Sequence, residues 1–459
     1  MDHLRTHRWL SLSALLLGAA ACSTTPPPPP QAEYGEPAVV EGPLPYLGVH
    51  GLGIDPQGRL LAGSVVGQSL SLVDRESGAV SPFVGPPAGM ADDVAFGPDG
   101  EVAWTAYLVG ELRIRNAAGE IRTVASGLPG LNSLAYTEDG RLFATQVFMG
   151  DALYEIDRSG EQPPRKIIEG MGGLNGFEFG PDGHLYGPLW FKGEVVRVNV
   201  ESGEMETVAD GFRIPAAVNF DGQGRLYVVD SATGELLRLQ PGTAEKVRVA
   251  RLKPSLDNLA IDKQAGLLYV SNMADNSIQE VDLADGRVRD LVRTRLAAPS
   301  GLAMVGDQLH IADTFAYRVM DTGSGDIREV GRMWASHLEY PLNAWADEHV
   351  VVLTSWATGT VQVFDRASGE MTHGFHDFQA PHDAVQLADG SLLVAELATG
   401  RLLRVSGEQG EQREAVVVAL AGPAGMAFNA DRSTLFVTTA GGSVWAVNPA
   451  DWSKRRVRD

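Results

Sequence analysis

A short turn recurs along this chain at a spacing of roughly 41 residues, and few folds can absorb such a repeat. It reads DPQG at 55–58, GPDG at 97–100, TEDG at 137–140, GPDG at 180–183, DGQG at 221–224 and KQAG at 263–266. It continues in degenerate form at 305–308, near Asp347, at 388–390 and at 429–433. A second marker follows in each copy, at Gly67, Gly110, Gly150, Gly193, Gly234, Asn276, Tyr317, Gly359, Gly400 and Gly442. Between the markers apolar and polar residues alternate, as in Val196, Val198 and Val200 against Arg197 and Asn199. That period of two, punctuated by turn residues, predicts antiparallel strands and not helices. Four short strands per copy over ten copies predict an all-β chain, a β-propeller of ten four-stranded blades spanning 45–459. A single blade cannot bury both of its faces, so the copies must stack on one another. No linker interrupts the run, which favours one large ring over the alternative of two packed propellers.

The first 44 residues lie outside the repeat. A basic head (His3, Arg5, His7, Arg8), an apolar run from Trp9 to Leu17 too short to span a bilayer, and Gly18 to Ala21 describe a secretory signal over 1–21. Cys22 is the only cysteine, which excludes an intramolecular disulfide. Its setting resembles the lipobox of bacterial lipoproteins, with Ala19 where leucine is usual. The resemblance implies lipidation at Cys22, and Ser23 after it implies sorting to the outer membrane, facing the periplasm or the cell surface; an ordinary signal peptide cut near Cys22 is the alternative. Pro26 to Pro30 extend as polyproline II, so 22–44 reads as a tether holding the repeats away from a surface.

Register along the copies locates the candidate chemistry. The residues opening the first strands are His50, Asp92, Asn132, Asn175, Ala216, Asp257, Ser300, Asn343, His382 and Ala424. The residues ending the second strands include Gln146, Asp230, Asn272, Asp313, Ser355 and Glu396. Antiparallel pairing puts the start of one strand and the end of the next on one rim. His50, Asp92 and Asn343 are candidate ligand-binding residues there, with Trp190 and Trp356 placed to stack on a ligand or, on the blander reading, to fill the core. Asp230, Asp257, Asn272 and Asp313 form an acidic arc of hard oxygen donors suited to Ca²⁺ or Mg²⁺, and nearby imidazoles suit Zn²⁺.

The motifs NGFEFGPDGHLYG (175–187) and PHDAVQLADGSLLVAEL (381–397) resemble the gluconolactonase and senescence-marker-protein family, the NHL-type propellers and the streptogramin lyases. In the first family a Glu, two Asn and an Asp opening inner strands hold a metal. The resemblance implies Asn132, Asn175 and Asp257 as ligands and Asp257 as the base, although His50 stands where that family has Glu. In the lyases a His and a Glu act with Mg²⁺ and a second His. His382 and Glu396 match the first two, and Thr399 replaces the third.

Asp and Glu number 58 against 37 Lys and Arg, a formal charge of −21 that repels polyanions and argues against nucleic acid. Two functions remain open: a membrane-tethered envelope propeller binding a small molecule, glycan or protein at its polar rim, or a metal-dependent lactone or ester hydrolase, with the lyase chemistry a further alternative.

Overall fold

The computed structural model describes residues 46–239 and 245–458. The signal segment, Cys22, the proline run and the rest of the tether lie outside the described residues. The repeat forms ten antiparallel four-stranded sheets, each running in sequence order from an inner to an outer strand. The described helices are two short 3₁₀ turns, Pro98–Gly100 and Tyr107–Val109, and no helix among the described residues is long and apolar enough to cross a membrane. Blades 1 to 6 occupy 49–84, 91–125, 131–169, 174–209, 215–251 and 256–292. Blades 7 to 10 occupy 301–332, 343–375, 381–417 and 423–458.

The ten blades form neither one ring nor two equal propellers. The inner strand of blade 1, Val49–Ile54, packs on that of blade 2 and also on that of blade 6, Leu256–Asp262, so a ring closes after six blades. Blades 7 to 10 then stack in order as an open arc. The closing seam is made by several independent contacts. Ser271 Oγ donates to the His50 carbonyl at 2.5 Å, and Val49 N donates to Asn276 Oδ1 at 3.0 Å. Arg75 reaches Asp262 at 2.5 Å and the Tyr269 hydroxyl at 2.9 Å. Tyr46, Val49, Leu52, Tyr269 and Ile278 bury one apolar core across it. Once blade 1 has covered the free face of blade 6, blade 7 has no sheet face left to extend, and the chain leaves the ring.

A recurring irregularity decides where the polar residues point. Blades 1, 2, 3 and 6 each carry two unpaired residues of the first strand opposite one of the second: His50 and Gly51, Asp92 and Asp93, Asn132 and Ser133, Asp257 and Asn258. Such bulges bend a strand and re-aim its side chains. Here they sit where the repeat register places its polar openers. The residue opposite is often a hydroxyl that latches blades together: Thr105 Oγ1 accepts from Asp93 N and donates to the Asn132 carbonyl, and Ser271 does the same for Asn258 and His50. Gly51 tolerates no side chain, since a Cβ would lie 2.4 Å from the Asp92 carbonyl oxygen. The inner strands enclose a channel of about 380 Å³, lined by residues of all six ring blades including Asp55, Asp93, Glu178, Asn219, Asn258 and Lys263.

Candidate functional site

At one end of this channel the openers of blades 1, 2 and 6 meet. His50 Nδ1 donates to Asp257 Oδ2 at 3.0 Å and stands 3.6 Å from Asp92 Oδ1. Their side chains keep 12%, 16% and 11% of their surfaces open to solvent, a narrow but real access. Because Nδ1 is committed to a carboxylate, the other ring nitrogen is the free one. Nε2 is buried and has no hydrogen-bond partner in the protein. Such an atom costs free energy unless something else satisfies it.

Blade 7 and the segment after it cover this end of the ring. Phe315 meets the His50 ring edge-on, with centroids 5.6 Å apart, and the Tyr340 ring at 5.3 Å. Trp334 lies edge-on to Trp190 at 5.1 Å. Gly48, at φ +59, leaves the space that Phe315 fills, since a Cβ there would sit 2.3 Å from Phe315 Cε2. Tyr107, in the turn after the second strand of blade 2, feels the Asp92 and Asp257 charges, and Tyr340 feels Asp92. This end of the ring is therefore an acidic and aromatic cluster with one imidazole at its centre.

Burial raises the Asp92 carboxyl to about 7, partly opposed by His50 and reinforced by Asp257. Burial alone would lower His50, but the hydrogen bond to Asp257 and the charges of Asp257 and Asp92 leave it raised above its ordinary value. An Asp92 carboxyl raised to about 7 thus stands beside an imidazole whose charged form its two carboxylate neighbours favour. Asp93, one residue deeper, is raised to about 8 by burial, and accepts hydrogen bonds from Val94 N at 2.8 Å and Asn258 Nδ2 at 2.9 Å.

The other sequence candidates are placed differently. Asn132 Oδ1 and Asn175 Oδ1 both face the Ser133 hydroxyl, at 2.9 and 3.0 Å, so the oxygens a cation would need are turned to a neighbour in the ring wall. The acidic arc does not gather. Asp230 caps the backbone of Arg213, Ile214, Ala232 and Thr233. Asn272 accepts from Asp275 N and Arg332 and donates to the Lys253 and Pro254 carbonyls. Asp313 accepts from Ala297 N, Ala298 N and the buried Arg318. Each is used by local structure, and no group of three or more His, Cys, Asp or Glu side chains among the described residues is placed to hold a metal ion. The set implied for a divalent cation does not fit as arranged.

Asn343, His382 and Glu396 belong to the open arc and not to the ring mouth. Asn343 Nδ2 donates to Asp383 Oδ1, and His382 Nδ1 to the Ala424 carbonyl. Glu396 accepts from Gln379 N, Thr399 and Arg401 and is 1% exposed. His382 and Glu396 share no hydrogen bond, and Thr399 holds the carboxylate where the lyases have a second imidazole. Trp190 is a core residue, 5% exposed, under Trp334, whereas Trp356 is half exposed on blade 8.

Sequence register found His50, Asp92 and Asp257 but missed Asp93, Asn258, Tyr107 and the covering Phe315 and Tyr340. A signal for the latches was present: Thr105, Ser271 and Thr354 recur one residue before the second strand's end, and each donates to a first-strand carbonyl of the neighbouring blade. Nothing local marked Phe315, whose partner His50 lies in another blade.

No protein-family model matches the chain, and no curated protein sequence matches it either. Among solved structures it is similar to virginiamycin B lyase from Staphylococcus aureus, with 15% identity, TM-score 0.43, and 58% of this chain and 92% of that one covered. It is also similar to the tricorn protease, with 12% identity, TM-score 0.43, and 90% and 44% covered. A chain of a nidogen–laminin complex shows 16% identity, TM-score 0.29, and 53% and 92% covered. Likeness this distant assigns no chemistry to the chain, which is a β-propeller by its own blades.

Proposed function

We propose that this protein is an exported, lipid-tethered propeller that binds a small polar molecule, such as a sugar or amine, in the covered mouth of its six-bladed ring. The observation that carries the reading is the buried Nε2 of His50, without a protein partner, in a cluster of two carboxyls and several aromatic rings. A neutral imidazole accepts a hydrogen bond there, and an imidazolium donates one. Paired carboxyls favour hydroxyl and ammonium donors, and the faces of Phe315, Tyr107 and Tyr340 suit a sugar ring or a cation. The export and tethering parts rest on residues 1–44 alone.

A panel of sugars, amino sugars and small amines, read by thermal shift and then by calorimetry, tests the proposal. A ligand that stabilises the wild type and loses its effect in His50→Ala and Asp257→Asn supports it. Identical responses from wild type and His50→Ala to every compound would remove the pocket from consideration.

Hydrolysis of a lactone or ester is the second reading, favoured by the near-neutral Asp92 beside His50. Such a pair can give and take the proton that ring opening requires without invoking a metal. Turnover of simple lactones that disappears in His50→Ala would select it.

A further inference from the structure

The open arc ends in two sheet faces that the rest of the repeat would cover. In blade 9, packed on both sides, the second strand Leu392–Glu396 is buried along its whole length. The matching strand of blade 10, Leu435–Thr439, alternates buried and exposed residues. Phe436, 37% exposed, occupies the register position of the wholly buried Leu393, and exposed Ala427 that of Val385. Leu393 and Val385 are the residues with which blade 9 meets blade 10. Blade 10 thus presents, uncovered, the face that a blade in this arc turns toward its successor.

Blade 7 presents the opposite half. Its first strand, Gly301–Val305, exposes Leu302 at 58% and Met304 at 56%. Leu302 occupies the register position of Ala384 and Met426, the residues that blades 9 and 10 turn toward the blade before them. Its other face, with Ala303, Tyr317 and Val319, already packs on blade 8. Near the rim Arg318 holds this side of blade 7 against Ala274 and Asp275 of blade 6, which leaves the Leu302 and Met304 half bare.

The two bare faces are therefore the complementary halves of a contact the chain makes three times within the arc, between blades 7 and 8, 8 and 9, and 9 and 10. We infer that the covering partner is a second copy of this chain: blade 10 of one copy packs on blade 7 of the other, and the reverse contact closes an eight-bladed ring about a twofold axis. Four blades from each copy stay within the range that propellers close. A head-to-tail contact that closes on itself yields a finite dimer, and one that does not yields fibres.

Mass measurement by sedimentation or light scattering tests this on the full chain carrying Cys22→Ser, which keeps acyl micelles out of the sample. The expected result is twice the chain mass. Phe436→Asp alone and Leu302→Asp alone each run at the single-chain mass with unchanged circular dichroism. Mixing these two variants restores a dimer, because the Leu302→Asp copy still offers its blade 10 to the intact blade 7 of the Phe436→Asp copy. A single-chain mass for the Cys22→Ser chain at all concentrations, assemblies larger than two, or failure of the mixture to pair would each overturn the inference.

Discussion

His50 and Asp257 lie 207 residues apart in sequence and share a hydrogen bond of 3.0 Å. Their meeting is a product of ring closure: one opens blade 1, the other blade 6, and both stand in bulges that turn them to the channel. Removing the acceptor, in Asp257→Asn, leaves burial as the dominant influence on the imidazole. The His50 titration midpoint, followed by NMR of its ring resonances, then falls from above its ordinary value toward or below it. A midpoint unchanged by the substitution would mean that Asp257 does not govern this ring.

Binding of an ammonium ligand at the mouth strengthens as pH rises through about 7, because Asp92 gains its negative charge over that interval. Asp92→Asn abolishes the dependence and weakens binding at the alkaline end. Calorimetric titrations on either side of neutrality read both effects.

Buried Asp93 makes stability depend on pH. Its carboxyl titrates near 8 in the fold and near 3.8 when exposed, so between those values the folded state binds the extra proton. Stability from this group is complete below the lower value and is lost as pH rises through the upper one. Asp93→Asn, which cannot ionise, therefore gains stability relative to the wild type with increasing pH. Denaturant melts at acid and alkaline pH compare the two.

Phe315 ties the cover to the mouth through His50, Tyr340 and the space above Gly48. Phe315→Ala costs about 3–5 kcal/mol as expected for a buried aromatic residue, and Gly48→Ala displaces the same ring from the other side. Both substitutions accelerate hydrogen exchange across 313–340. Exchange confined to the substituted residue would show that the cover is held elsewhere.

Arg318 bonds Asp313 in its own blade and the Ala274 carbonyl in blade 6, so it joins arc to ring from a buried position. Arg318→Met leaves Asp313 without its countercharge, at a cost of about 3–5 kcal/mol. Because the variant loses one buried polar contact between ring and arc while those of Arg332 and Phe315 remain, calorimetry shows its arc unfolding at a lower temperature than in the wild type.

The repeat was legible in the sequence because turn residues and period-two alternation act locally: a Gly-Pro-Asp-Gly turn between apolar runs makes a hairpin wherever it lies. The same register placed His50, Asp92 and Asp257 correctly at strand openings. Which openers face each other was not legible. Blade faces are built from interchangeable Val, Leu and Ala, so blade 6 could cover itself with blade 7 or with blade 1 on local criteria alone. Tertiary structure chose blade 1, through contacts such as Ser271 to His50 across 221 residues, and that choice separated His382 and Glu396 from the ring mouth and left two faces of the arc bare.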